Sequence, residues 1–215
     1  MIERTVEDRL RQQYFDLLPD VRRVAEELES EVRHCLLPVS LKLDRFERLS
    51  VTSRVKDCES AVDALRIRQE GGTFDREQDP ASYTLERLND LAGVRVLCFP
   101  RSRLLEADRV LRIKYPDWVP DPVFDLENSD DLIAYKYHGH CTASPTLRAE
   151  VQIVPMLIGL FWQVEHSAIY KPAPQLKGIA QSLAMRERTG AVLQALKSFE
   201  DEFEALLQRN EPGIS

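Results

Sequence analysis

Residues 93–99 read GVRVLCF, a short run of apolar and β-branched side chains broken only by Arg95. A run this short and this apolar fits a central strand of a sheet, buried on both faces. It commits the chain to packing something on each side of that strand. It also makes Arg95 an exception, because a guanidinium in such surroundings needs a partner, and a structural ion pair is the expected one. A second stretch, AEVQIVP at 149–155, carries Glu150 and Gln152 on one face of a strand, alternating with Val151. A sheet built from both runs therefore has a polar patch at its centre.

The segments around these runs are mostly helical in period. Leu10, Tyr14, Leu17, Val21, Val24, Leu28 and Val32 recur in steps of three and four, as on one helix face. Pro19 predicts a break, giving pieces over 4–17 and 20–36 that Pro38 closes. A strand over 46–54, a helix over 57–69, the loop EGGTFDREQDP and a short helix through Leu85 and Leu88 lead into GVRVLCF. After it come a helix from Arg103 to Tyr115 and strands near 122–126, 132–142 and 147–154, with the polar turn ENSDD between the first two. A helix starts at Pro155, where proline fits best, and runs to about Tyr170. The linker KPAPQ precedes a last helix with Leu193, Leu196, Phe199, Phe203 and Leu206 on one face. The order predicts an α/β (α+β) fold: one domain over 1–215, with a mixed-sheet core at about 46–171 and helical flanks at 4–37 and 175–209. The near-heptad spacing of both flanks fits a core-facing stripe and an oligomer seam equally well.

Composition narrows the function. The 215 residues are 43% hydrophobic and 30% charged, with formal net charge -7. That acidity argues against a protein that coats nucleic acid, while leaving room for a local basic pocket. Cys35, Cys58, Cys98 and Cys141 form no CxxC or Cys/His cluster; they read as reduced thiols of a cytoplasmic protein, with Cys98 and Cys141 buried in strands. The charged N-terminus lacks a signal core, and the most apolar stretch, 154–162, is too short to span a bilayer.

Four segments carry the chemistry. SRVKDCES places Arg54, Lys56 and Ser60 in an R-x-K-x-x-x-S spacing. LNDLAGVRV holds Asp90, Gly93 and Arg95. AEVQI holds Glu150 and Gln152, and FWQVEHSAIYK holds Trp162, Glu165, His166, Tyr170 and Lys171. In this order and spacing they resemble the RelA/SpoT nucleotidyltransferase domain, over roughly residues 46–171. The resemblance implies a small alarmone synthetase, with a nucleotidyltransferase-like sheet, that transfers pyrophosphate from ATP to the ribose 3′-hydroxyl of GDP or GTP, giving a (p)ppGpp-like product.

It further implies Asp90 and Glu150 as catalytic and Mg²⁺-binding carboxylates, with Glu150 sharing the metal or taking the hydroxyl proton. Arg54, Lys56 and Ser60 become ATP-phosphate ligands, and Tyr135, Lys136, His138 and Gln152 acceptor ligands, Tyr135 by stacking on the base. Arg95, Glu165 and His166 become supports. The acceptor stretch here reads IAYKYHGHCTAS, with Ala134 at the family's glycine and His138 or His140 at its histidine. Val154 and Pro155 replace a basic pair, and Ala64 a lysine for which Arg66 and Arg68 are the nearby substitutes. Two other readings remain: a degenerate domain that binds a nucleotide or a protein, and a toxin-like enzyme acting on the 3′ end of tRNA through Arg101, Arg103, Arg109, Arg112 and Lys114. Family members of this size imply a homo-oligomer.

Overall fold

The computed structural model describes residues 5–70, 83–124, 132–170, 177–180 and 182–210. The loop EGGTFDREQDP beyond Glu70, ENSDD and KPAPQ lie outside them, as does Lys171. Helix α1 runs unbroken over Val6–Cys35, opened by a capping box in which Thr5 and Asp8 exchange hydrogen bonds. Pro19 does not divide it. Pro19 and Phe15 are both exposed, so the Phe15 carbonyl that lost its amide donor stands on the solvent side, where water takes the bond. The buried face continues past it, from Leu10 and Tyr14 to Val21, Val24, Leu28 and Val32.

A short helix α2 (Leu37–Ser40), strand β1 (Arg48–Val55) and helix α3 (Cys58–Glu70) follow. After a 3₁₀ turn at Leu85–Arg87 come β2 (Ala92–Phe99), α4 (Arg103–Lys114), β3 (Val119–Phe124), β4 (Leu132–Cys141) and β5 (Ser144–Pro155). Helix α5 (Met156–Glu165) continues into one π turn at His166–Tyr170; α6 (Lys177–Ala180) and α7 (Leu183–Asn210) complete the order. The sheet order is β1-β2-β5-β4-β3, with β2 and β5 parallel and every other pair antiparallel.

One face of this mixed sheet is a continuous apolar core. Val51 of β1, Val94, Val96 and Cys98 of β2, Val151 and Ile153 of β5 and Tyr137 of β4 pack there against α1 and α4. The opposite face is divided. Leu97 and Val154 lie under Ile158 of α5, with Leu193 of α7 against them, so one half is covered. Its other half carries Arg54, Gly93, Arg95, Glu150 and Gln152. That division explains why β5 changes character along its length: polar where the face is open, apolar where α5 closes it. Val154 and Pro155, expected to leave a missing cation, belong to the covered half and are buried.

All four cysteines are free. Burial pushes the Cys98 thiol up to about 12. Cys141, expected to be buried, ends β4 half-exposed, because the strand bulges where it turns into the hairpin. Among the described residues no helix is long and apolar enough to cross a membrane.

Candidate active site

Three connections fix the open half of the sheet. The Lys56 amide donates to the Leu91 carbonyl at 2.9 Å, and the Tyr14 hydroxyl of α1 donates to the Lys56 carbonyl at 2.8 Å. The end of β1 is thus tied to the start of β2 and to the helix behind the sheet. The third connection is the register: Gly93 stands opposite Arg54 of β1 and also opposite Glu150 of β5. Without a side chain at 93, Arg54 crosses β2. Its Nη2 lies 3.7 Å from Glu150 Oε1 and 3.9 Å from Asp90 Oδ2. Lys56 Nζ lies 2.5 Å from the same Asp90 oxygen.

Glu150 is 4% exposed. The Gln152 amide nitrogen donates to its Oε1, and His138 of β4, directly opposite, places Nδ1 3.8 Å from its Oε2. The other His138 nitrogen lies 3.8 Å from Asp121 Oδ2 on β3. Lys136 occupies the next position on that face, opposite Gln152 and Asp121. A buried carboxylate needs hydrogen bonds and cations around it, and Glu150 has both.

Arg95 departs from its expected role. Its Nε and Nη2 donate to Gln152 Oε1 at 3.2 and 2.9 Å, and no carboxylate among the described residues pairs with it. A neutral amide holds the guanidinium in place, and the nearby Glu150 charge offsets only part of the burial. Burial, with the neighbouring Arg54 charge, lowers its pKa. The residue expected to brace the fold instead presents its charge to a cavity.

That cavity, of about 370 Å³, is lined by Arg54, Lys56, Ser60, Arg95, Trp162 and His166, together with Val55, Asp57 and Gln163. The three residues matched to ATP phosphates therefore share one pocket with Arg95 and with the helix that carries Trp162. Asp57 holds Ser60 through the Ser60 amide (2.9 Å) and hydroxyl. Glu165 is half-buried on α5 but does not line the pocket; the Tyr170 side chain lies outside the description. Arg66 pairs with Asp63 at 3.1 Å on the surface, so it does not replace the lysine missing at Ala64, and the Arg68 side chain lies outside the description. A second cavity, of about 390 Å³, is lined by α1, the α4–β3 connection and the β4–β5 hairpin and shares no residue with the first.

Tyr135 is the clearest correction. It pairs with Ile153, one residue out of phase with Lys136 and His138, so it stands on the other face of β4. There Arg112 of α4 lies 5.6 Å from its ring centroid. A ring on that face cannot stack on a base held beside Glu150. The expectation followed the order of letters in the stretch; the pleat, which sends alternate residues to opposite faces, decides the matter. Asp57 and Asp121 were missed altogether. Asp57, an acidic residue opening a helix, carried a legible N-terminal signal; Asp121 reaches His138 only through strand pairing.

A five-stranded mixed sheet with helices behind it is the fold of the small alarmone synthetases. Comparison with solved structures shows the same fold. The small alarmone synthetase 1 of Bacillus subtilis bound to its product pppGpp matches at a TM-score of 0.61 and 16% identity, over 94% of this chain and 100% of that one. The same enzyme bound to AMPCPP matches at 0.55 and 19%, over 92% and 98%. A GTP pyrophosphokinase family protein of Streptococcus pneumoniae matches at 0.53 and 18%, over 93% and 98%. No protein-family model matches the chain, and no curated protein matches its sequence.

Proposed function

We propose that this chain is a pyrophosphokinase acting on ATP and a guanosine nucleotide. The observation that carries the reading is that Arg54, Lys56 and Arg95 line one pocket while Asp90 and Glu150 stand against Arg54, on a fold whose solved examples include a pppGpp complex. In the reaction the acceptor 3′-oxygen bonds to the β-phosphorus of ATP, the bond from that phosphorus to the α–β bridging oxygen breaks, and AMP leaves. Charge builds on the phosphoryl oxygens, so fixed cations lower the barrier most. Arg54, Lys56 and Arg95 supply them. Ser60 donates to the same oxygens, and Trp162 gives the pocket an aromatic wall for a base. Glu150 takes the 3′-hydroxyl proton, while Gln152 holds its carboxylate through a hydrogen bond and His138 stands 3.8 Å away. Gln152, Lys136 and His138 face the acceptor side.

Asp90 and Glu150 suit Mg²⁺, which takes one or two carboxylates and completes its shell with phosphate oxygens and water. Their shared contact with Arg54 marks the place where positive charge is already favoured. A bound Mg²⁺ would neutralise part of the triphosphate charge there. With ATP and GTP as substrates, the compartment is the cytoplasm.

One observation favours a second reading. With Tyr135 on the other face, the acceptor side has no stacking ring from β4 among the described residues, which points to a different acceptor or to a domain that binds nucleotide without turnover. The tRNA version draws no support from the basic residues of α4 and its approach. Arg103 is bound by Glu47 and Glu106, Arg112 by Asp108 and Arg101 by Asp201, a solvated helix face rather than a bare groove. The test is incubation with Mg²⁺ and γ-labelled ATP plus GDP, GTP, ATP or tRNA in turn, with Asp90→Asn and Glu150→Gln alongside. Label on a guanosine nucleotide, reduced at least ~10³-fold in both variants, supports the first reading. Label elsewhere, or nowhere, supports the second.

A further inference from the structure

Strand β1 ends at Val55 and α3 begins at Cys58, so Lys56 stands between elements, with its carbonyl beyond the strand pairing. The donor that satisfies this carbonyl comes from behind the sheet: the hydroxyl of Tyr14, at 2.8 Å. Tyr14 is 7% exposed, and a phenylalanine ring would fill its place equally well. The hydroxyl makes this bond alone among the described residues. Its neighbours on α1 hold the adjoining segments. Gln13 Oε1 accepts from the Leu85 amide at 3.1 Å, and Arg9 Nη2 donates to the Tyr83 carbonyl at 2.8 Å, both on the approach to Asp90. Arg11 takes Glu59, beside Ser60, at 2.9 and 3.1 Å; this pair is exposed and adds little. One short stretch of α1 thus reaches both segments that carry Lys56, Ser60 and Asp90.

We propose that Tyr14 is a positioning residue for the ATP-phosphate pocket, acting through Lys56. The inference rests on the ATP reading given above and names a residue that reading leaves out. A lysine is a point charge on a flexible four-carbon stem, so its ammonium is placed only as well as the backbone it hangs from. Cations that stabilise a transferring phosphoryl group must be in place before the reaction. The Tyr14 hydroxyl fixes the Lys56 carbonyl, the Leu91 carbonyl fixes the Lys56 amide at 2.9 Å, and Lys56 Nζ meets Asp90 at 2.5 Å. Remove the hydroxyl and the Lys56 carbonyl loses its donor, which the 55–57 backbone relieves by shifting. Lys136, His138 and Gln152 stand on β4 and β5, to which neither Tyr14 nor Gln13 bonds among the described residues. The effect therefore falls on ATP and spares the acceptor.

The test compares Tyr14→Phe and Gln13→Ala with Val24→Ala, a cut into the apolar core on the same helix, where Val24 is fully buried. Binding of AMPCPP with Mg²⁺ is measured by calorimetry, hydrogen exchange at residues 55–61 by mass spectrometry, and KM for ATP and for the acceptor by steady-state kinetics. In Tyr14→Phe the AMPCPP Kd and the KM for ATP rise about tenfold. Exchange at 55–61 quickens, and the acceptor KM stays within about twofold. Gln13→Ala weakens AMPCPP binding in the same sense, while Val24→Ala lowers the urea midpoint and leaves the AMPCPP Kd unaltered. An unchanged AMPCPP Kd in Tyr14→Phe overturns the proposal. So does an equal weakening in Val24→Ala or an equal rise in both KM values, which a merely loosened fold would give. An unaltered chain that fails to bind AMPCPP removes the ATP reading itself, and this proposal with it.

Discussion

A methyl group at position 93 would stand 3.0 Å from the Glu150 carbonyl oxygen and 3.4 Å from Arg54 Cγ. Arg54 reaches both carboxylates because that space is empty. Gly93→Val should push Arg54 off Glu150 and lower kcat/KM about 10²-fold, with the circular dichroism spectrum kept; an unchanged kcat/KM would show that the crossing does not matter. Arg54→Gln removes the charge itself and should cost about 10²–10³-fold, read in steady-state kinetics at saturating acceptor. Tyr135→Phe should leave kcat and KM within about twofold, since the ring lies on the far face; a large rise in acceptor KM would return Tyr135 to the site. At this scale the sequence named residues that the fold brings together. Arg54, Lys56, Asp90 and Glu150 do meet. Directions were harder: the Arg95 partner and the Tyr135 face depend on strand pairings that one chain read alone does not contain.

Most elements were legible because period and burial agree along them. GVRVLCF lies within β2, the Arg103–Tyr115 spacing became α4, and the long last stripe became α7. The failure at Pro19 is instructive. A proline breaks a helix when the freed carbonyl has no other partner, and here the carbonyl faces water while the apolar stripe on the other side holds both halves to the sheet. Pro19→Ala should therefore raise stability by about 1–3 kcal/mol, measured by urea unfolding; a loss of stability would mean that the proline shapes the helix. The hairpin side gives the opposite case. A Cβ at Gly139 would lie 2.3 Å from the Trp118 ring, and a buried ring has nowhere to go. Gly139→Ala should destabilise by about 1–3 kcal/mol, and a neutral result would show the ring to be mobile.

Across the whole molecule, the covered half of the site face depends on α7 docking on α5, and Glu200 sits at that junction, 1% exposed. Burial pushes its carboxyl up to about 7, against the opposing pull of the Leu157 amide and Arg101. The folded state therefore binds this proton more tightly than the unfolded chain, whose value is the ordinary 4.5. The contribution is full below about 4.5, falls as pH rises, and is lost above about 7. Glu200→Gln should match the unaltered protein in acid and exceed it above pH 7 by an amount on the order of 3 kcal/mol. Urea unfolding at several pH values checks this; a constant difference between the two would refute it. Sequence reading found the helix but not this role, because its spacing gives no sign that a glutamate faces inward.

The direct test of the central claim is to identify what ATP becomes. With Mg²⁺, ATP and GTP, the account requires AMP and a guanosine nucleotide bearing a 3′-pyrophosphate in equal amounts, resolved by ³¹P NMR, and neither with Asp90→Asn. ADP in place of AMP, or AMP with no matching pyrophosphorylated acceptor, would contradict it.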